Sequence, residues 1–143
     1  MKLVRTATIA TLTTLLLSLN LSTPSWAQWG FTHLTMAKEA GQKPDGEDEA
    51  EALLKNALVG IEGALVDQLD EPMKLGNRGY ALFLLVRADE AEAPLRRALE
   101  LGGEKAFENT MEDAKIHPLP QDKAFVALVE RLWTEVQVAQ SDA

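Results

Sequence analysis

The sequence predicts an all-α protein of about six helices, stacked as antiparallel hairpins. Three observations lead to this prediction. Ala, Leu, Glu, Lys and Arg dominate after residue 28, and alternating β-branched and aromatic residues are nearly absent there. Apolar residues recur with the 3.6-residue period of a helix that has one buried face. Gly and Pro divide these segments at intervals that suit paired helices.

The first 27 residues have the features of a cleaved signal peptide. Lys2 and Arg5 form a basic start, and residues 9–21 are mostly apolar. Ser25 and Ala27 give the pattern of small residues that precedes a cleavage site, so we expect cleavage after Ala27. The apolar run is shorter than the roughly 20 residues that span a bilayer. We therefore expect a periplasmic or secreted protein with no stable membrane span after cleavage.

Charge and composition limit the partners of the remaining domain, residues 28–143. The formal net charge of the chain is −8, and removing Lys2 and Arg5 makes it more negative by two. An acidic surface repels nucleic acid and anionic lipid, and it is compatible with a cationic or neutral protein or peptide partner. The sequence contains no Cys, so the hydrophobic core must stabilise the fold without disulfides.

The predicted hairpins cover residues 29–69, 72–101 and 104–139. The first helix ends at Gly41, and a turn leads to a second helix that begins at Asp48 and ends near Leu69. Pro72 suits the first turn of the third helix, where its missing N–H costs nothing. Residues 79–86 carry no charge, which predicts a helix that is covered on every side at the centre of the molecule.

The second half of the chain contains the other predicted helices. The fourth helix begins after residue 88 and ends before Gly102-Gly103. Its Pro94 removes a hydrogen bond and favours either a kink or a later start of the regular helix. A fifth helix covers residues 104–115. Asp122 precedes the sixth helix, whose apolar stripe includes Phe125 and Trp133.

One segment occurs twice. DEAEALLKNAL at residues 48–58 and DEAEAPLRRAL at residues 89–99 share eight of eleven residues, 41 positions apart. Each copy opens with an acid that can cap a helix and a Glu three residues later, as in a capping box. Each also has two Ala residues seven positions apart, which would let neighbouring helices approach closely. These pairs are Ala50 with Ala57 in the first copy and Ala91 with Ala98 in the second.

The second copy and the helix before it resemble a tetratricopeptide repeat unit, whose pattern is W-x2-L-G-x2-Y followed by A-x3-F and a further Ala. Arg78 departs from this pattern at its Leu position. The matching residues, in order, are Leu75, Gly79, Leu82, Ala91, Leu95, Ala98 and Gly103 in place of the closing Pro. The resemblance implies a fragment of an α-solenoid that binds a protein or peptide on its concave face.

The first copy departs from this unit in two ways. Repeats of this family recur at about 34 residues, so the spacing of 41 predicts that the second helix is about two turns longer than the fourth. Lys38 stands where the close-packing Gly would be expected. The last two helices carry bulky residues at the small positions, which favours a divergent hairpin or a capping element.

The sequence offers no catalytic or cofactor-binding motif. His33 and His117 match no metal-ligand spacing, and no nucleophile motif is present. Residues 45–51 hold five acids, but their order does not fit a calcium loop. We therefore predict no enzyme activity, no cofactor and no metal. A carboxylate-based hydrolase or metal-binding protein remains an alternative, with an acidic pocket as its requirement.

The third helix supplies the predicted binding residues. Met73, Tyr80, Phe83 and Arg87 lie at helical spacing opposite its hairpin face, on the side that lines the groove in the resembled family. The alternative is that the first hairpin or the last helix covers this side; Tyr and Arg favour the groove, since both are common binding anchors. The leading hypothesis is a non-catalytic protein- or peptide-binding adaptor of the cell envelope. The alternative is a structural component that self-associates as a homo-oligomer through Phe125 and Trp133.

Overall fold

The computed structural model describes residues 26–66 and 68–143, so nearly all of the predicted signal peptide lies outside the described residues. Five helices account for most of this part of the chain. They are α1 (Trp26–Gly41), α2 (Glu47–Leu65), α3 (Pro72–Leu84), α4 (Ala88–Lys115) and α5 (Asp122–Ser141). The prediction of an all-α fold of stacked helical hairpins is confirmed.

Two of the predicted helices are joined in α4. Its one residue with non-helical dihedrals is Gly103, at φ 61° and ψ −147°, a region in which essentially only Gly is found. The Gly102-Gly103 pair therefore produces a kink between residues 88–102 and 104–115, and no loop separates them. Pro94 lies inside the first half, and the helix continues through it.

The start of one helix agrees with the sequence prediction, and the predicted caps of two others do not. Pro72 is the first residue of α3 as predicted, and Glu71 caps this helix by accepting hydrogen bonds from the N–H groups of Met73 and Lys74. The caps predicted at Asp48 and Asp89 are wrong, since neither α2 nor α4 has a side-chain cap. The acids lie in the first turns, where the positive end of the helix dipole favours them.

The length predicted for the second helix is also wrong. α2 ends at Leu65, not near Leu69. α2 has 19 residues. The helix to compare it with is the first half of α4, which runs from Ala88 to the kink at Gly103. α2 is longer than this half by about one turn, not two. The remaining extra residues lie in the connection before Pro72.

The helices pair as neighbours along the chain. α1 packs along α2, α3 packs along α4, and α5 packs against α4. α3 lies at the centre, since it also contacts α2 and α1, and its Tyr80 and Phe83 rings contact Phe125 of α5. Among the described helices, none combines the length and apolar character that crossing a membrane requires.

Small residues bring the paired helices close together. A Cβ atom at Gly79 would lie 2.4 Å from Leu95 Cγ and 3.1 Å from the carbonyl oxygen of Ala91. The predicted packing alanines are buried, namely Ala50, Ala57, Ala91 and Ala98. In the first hairpin the close approach occurs at Gly30, where a Cβ would lie 2.3 Å from Ile61 Cγ1. The repeat pattern predicted this glycine at position 38, and the close approach occurs at Gly30 instead.

Candidate functional site: a groove beside helix α2

The four residues predicted to line a groove do not share one open surface. Tyr80 is 2% exposed, and its ring stacks on Phe125 at 4.1 Å. Phe83 is half-buried against the same ring at 5.3 Å. Met73 is 60% exposed near the other end of α3, and the exposed Arg87 pairs with Glu90. The groove assignment of Tyr80 is wrong because α5 covers this side of α3.

A polar cluster lies behind the Tyr80 ring. We call it the Lys38 cluster, and it consists of Lys38, Tyr80 and Asp122, all buried. Lys38 Nζ donates to the carbonyls of Asp113 at 3.0 Å and Ala114 at 3.3 Å, and it lies 3.4 Å from Asp122 Oδ2. Asp122 also accepts hydrogen bonds from the Tyr80 hydroxyl and from Leu119 N. These contacts join α1, α3, the end of α4 and the start of α5.

The electrostatics of the cluster agree with a buried structural role. Burial lowers the pKa of Lys38, and the Asp122 carboxylate opposes that shift. Burial and the hydrogen bond to Asp122 raise the pKa of the Tyr80 hydroxyl well above its usual range. The sequence did contain a signal for this cluster, since Lys38 is a charged residue at a position where the resembled repeat has a small one.

A groove with a volume of about 800 Å³ lies beside α2. Two rows of α2 residues, each with a spacing of four, form one side. The buried row forms the floor, and the exposed row forms the rim. The floor consists of Ala50, Leu54 and Leu58. The rim consists of Glu47, Glu51, Lys55 and Val59.

The end of α3 and the connection before α5 form the other side of the groove. This side is largely apolar, so the groove offers a hydrophobic floor with charged groups at its edge. Its residues are Leu84, Leu85, Val86, Arg87, Leu119, Pro120 and Gln121. Val59 is 68% exposed and Val86 is 87% exposed, so apolar side chains meet solvent on both sides of the groove.

Val86 has an unusual backbone conformation at this site. Its φ is 62°, in the left-handed region that a β-branched residue rarely occupies. Val86 N donates to Phe83 O at 3.0 Å and Arg87 N donates to Leu82 O at 2.9 Å, which is a Schellman motif with Val where Gly is usual. Strained residues of this kind cluster at functional sites.

The two sequence copies have different surroundings. In the second copy, Glu92 and Arg96 form ion pairs with Arg131 and Glu135 of α5 at 2.5 to 3.0 Å. Gln140 of α5 donates to the carbonyl of Glu100. The equivalent residues of the first copy, 41 positions earlier, are Glu51, Lys55 and Val59.

These three residues of the first copy are exposed on the rim of the groove. Glu51 and Lys55 pair with each other at 2.6 Å. Because all three side chains are exposed, the face that α5 contacts in the second copy is open to solvent in the first. The exposed acids at the start of α2, together with Asp45, make this end of the groove negative.

The surface assigned to self-association is used inside the chain. Phe125 is fully buried, and Trp133 is half-buried and stacks on Phe107 at 5.5 Å. In the part of the chain that the structure describes, no group of three or more acidic or histidine side chains is placed to hold a metal ion.

Comparison with known proteins gives no relative. No protein-family model, no curated protein and no solved structure matches this chain. The assignment of function therefore rests on the groove and its chemistry.

Proposed function

We propose that this protein is a non-catalytic binding module of the cell envelope, with hairpins that resemble tetratricopeptide repeats, and that it holds a helix of a partner protein in the groove beside α2. The observation that carries this proposal is the uncovered face of the first copy. The same sequence is covered by α5 in the second copy, which supports a helix as the occupant of the open one.

The second copy also indicates the chemistry of the partner helix. Along α4, Glu92 meets Arg131 and Arg96 meets Glu135, so α5 runs parallel to the first half of α4 with its charges four residues apart. A helix parallel to α2 would place a basic residue against Glu51 and an acidic residue four positions later against Lys55. An apolar residue one turn further on would contact Val59. The acidic end of the groove favours a partner segment that begins with basic residues.

Site-specific photo-crosslinking in the cells that make the protein tests this proposal. A photoreactive amino acid at Val59 should capture a protein partner. The matched control is Val138, which is 55% exposed on α5 outside the groove. The cross-linked peptide should contain the basic and acidic residues four positions apart.

A synthetic peptide of the captured segment then gives the affinity. Val59→Asp should weaken binding at least tenfold, because it places a charge against the apolar side of the peptide. Val138→Asp should leave the affinity unchanged. Equal capture at both positions, or a peptide that binds Val59→Asp as well as the original protein, would contradict the proposal.

A further inference from the structure

A second and smaller cavity lies between the first half of α3 and the second half of α4. Its volume is about 230 Å³. Met73 and Asn77, four residues apart on α3, face Lys105, Asn109 and Asp113, which are spaced by four on α4. Glu71, Pro72, Gly102 and Ala106 complete the lining. The kink at Gly103 directs the second half of α4 past this part of α3.

Asn77 is a buried polar residue that lines this cavity. It is 4% exposed, and its side-chain amide has no hydrogen-bond partner among the residues that the structure describes. Among the described residues, no fully buried side-chain N or O atom lacks a hydrogen-bond partner. The Asn77 amide therefore reaches the open space of the cavity, where it can hydrogen-bond to a ligand.

The carboxylate of Asp113 provides a second group of this kind. It makes no hydrogen bond with the described residues, and burial raises its pKa to about 6. Lys38 acts on the Asp113 carboxylate electrostatically, but it already uses its three N–H groups on the carbonyls of Asp113 and Ala114 and on Asp122. Lys38 therefore lowers the cost of a charge on Asp113 without hydrogen-bonding to the carboxylate. Lys105 also lines the cavity, and it forms no ion pair with Asp113 among the described residues.

We propose that this cavity binds a protonated primary amine, which donates hydrogen bonds to the Asn77 carbonyl and to the Asp113 carboxylate. Met73, Pro72 and Ala106 give an apolar wall for the carbon chain that carries the amine. Asp113 lies in the last turn of α4, where the negative end of the helix dipole favours a cation. The start of α3 would favour an anion, but Glu71 already caps it.

Nuclear magnetic resonance of the isotope-labelled protein tests the proposal with n-butylammonium as the probe. The side-chain amide signals of Asn77 should shift with increasing probe concentration until they saturate. The neutral isostere 1-butanol and the anion butyrate should cause no such shift. A shift with all three compounds, or no shift with n-butylammonium, would overturn the proposal.

Variants identify the groups that hold the amine. Asp113→Asn should weaken n-butylammonium binding about tenfold or more, since it removes a charged acceptor. Asp48→Asn, which removes an exposed acid of α2, is the matched control and should bind as the original protein does. Asn77→Ala should also weaken binding. Unchanged binding in Asp113→Asn, or an equal loss in Asp48→Asn, would show that no specific site exists.

A second comparison identifies the source of the amine. Tighter binding of N-acetyl-lysine methylamide than of n-butylammonium supports a lysine side chain of a partner, and the reverse order supports a free small amine. The groove variant Val59→Asp should not change either affinity. This outcome separates the amine site from the proposed helix-binding groove, so either proposal can fail without the other.

Discussion

The backbone conformation of Val86 and its side chain favour different residues at this position. Its left-handed φ of 62° disfavours a β-branched side chain, yet that side chain is exposed at the groove. A Gly would fit the Schellman motif without strain. The Val side chain therefore does not stabilise the free protein, and under the proposed function it would contact the partner helix.

Val86→Gly should raise the free energy of unfolding by about 1 kcal/mol, because it relieves the left-handed strain. Urea denaturation measures the change. Val138→Gly is the control, since an exposed position inside α5 should lose about 1 kcal/mol on the same substitution. If Val86→Gly destabilised the protein as Val138→Gly does, the backbone at Val86 would not be strained.

Lys38 and Asp122 are buried partners, and each needs the other. Lys38→Met should lower the free energy of unfolding by about 3–5 kcal/mol, because it leaves the Asp122 carboxylate buried without its cation. Tyr80→Phe should cost only about 1–2 kcal/mol, since Asp122 keeps Lys38 and Leu119 N.

The control for the Lys38 prediction is Lys55→Met. Lys55 pairs with Glu51 on the surface, where such pairs contribute about 1 kcal/mol or less. Urea denaturation of both variants gives the comparison. Similar losses from Lys38→Met and Lys55→Met would show that the Lys38 cluster does not hold the helices together.

At the scale of the elements, glycine sets how closely α3 and α4 pack. Gly79→Ala should destabilise the protein by about 1–3 kcal/mol, because its Cβ would lie 2.4 Å from Leu95 Cγ. Gly63→Ala in α2 is the matched control, since a Cβ there has no atom within 4 Å. That control should stabilise the protein by about 0.5–1 kcal/mol through higher helix propensity. Thermal unfolding of both variants checks the opposite signs.

The helix boundaries show what local sequence could predict about the elements. Pro72 and the glycines at 41 and 102–103 mark true ends or bends, since their backbone restrictions act whatever the surroundings. The caps at Asp48 and Asp89 were predicted wrongly. A capping residue must lie just outside the helix, and the packing of each hairpin starts these helices earlier, at Glu47 and Ala88.

At the scale of the whole molecule, Asp113 makes stability depend on pH. Its folded pKa of about 6 is above the ordinary value of 3.8, so the stability that it contributes at low pH is lost as pH rises from about 4 to 6. Asp113→Asn should therefore be more stable than the original protein at pH 7, by about 1 kcal/mol after allowance for partial solvent access. The two should be equally stable near pH 3.5.

Urea denaturation across this pH range checks the Asp113 prediction. The exposed glutamates Glu92 and Glu135 have lowered pKa values from their pairing with Arg96 and Arg131, and they act in the opposite direction. They are present in both proteins, so they cancel in the difference. If the difference in unfolding free energy between Asp113→Asn and the original protein stayed constant from pH 3.5 to 7, burial would not raise the pKa of Asp113.

The sequence by itself determined the all-α class, the central place of α3 and most of the small residues at which helices meet, Gly30 excepted. These features follow from local periodicity, backbone restriction and side-chain size. It also showed that residues 48–58 and 89–99 are copies. It could not show which copy is covered, because nearly identical segments have nearly identical local preferences.

Only the tertiary structure decided the environment of each copy. α5 forms ion pairs with Glu92 and Arg96 of the second copy, whereas Glu51 and Lys55 of the first copy line a groove. α5 also covers Tyr80, which removes the surface that the sequence predicted for binding. The physical reason is that α5 covers a surface through contacts between residues 39 or more positions apart in the sequence. No local pattern in the sequence encodes those contacts.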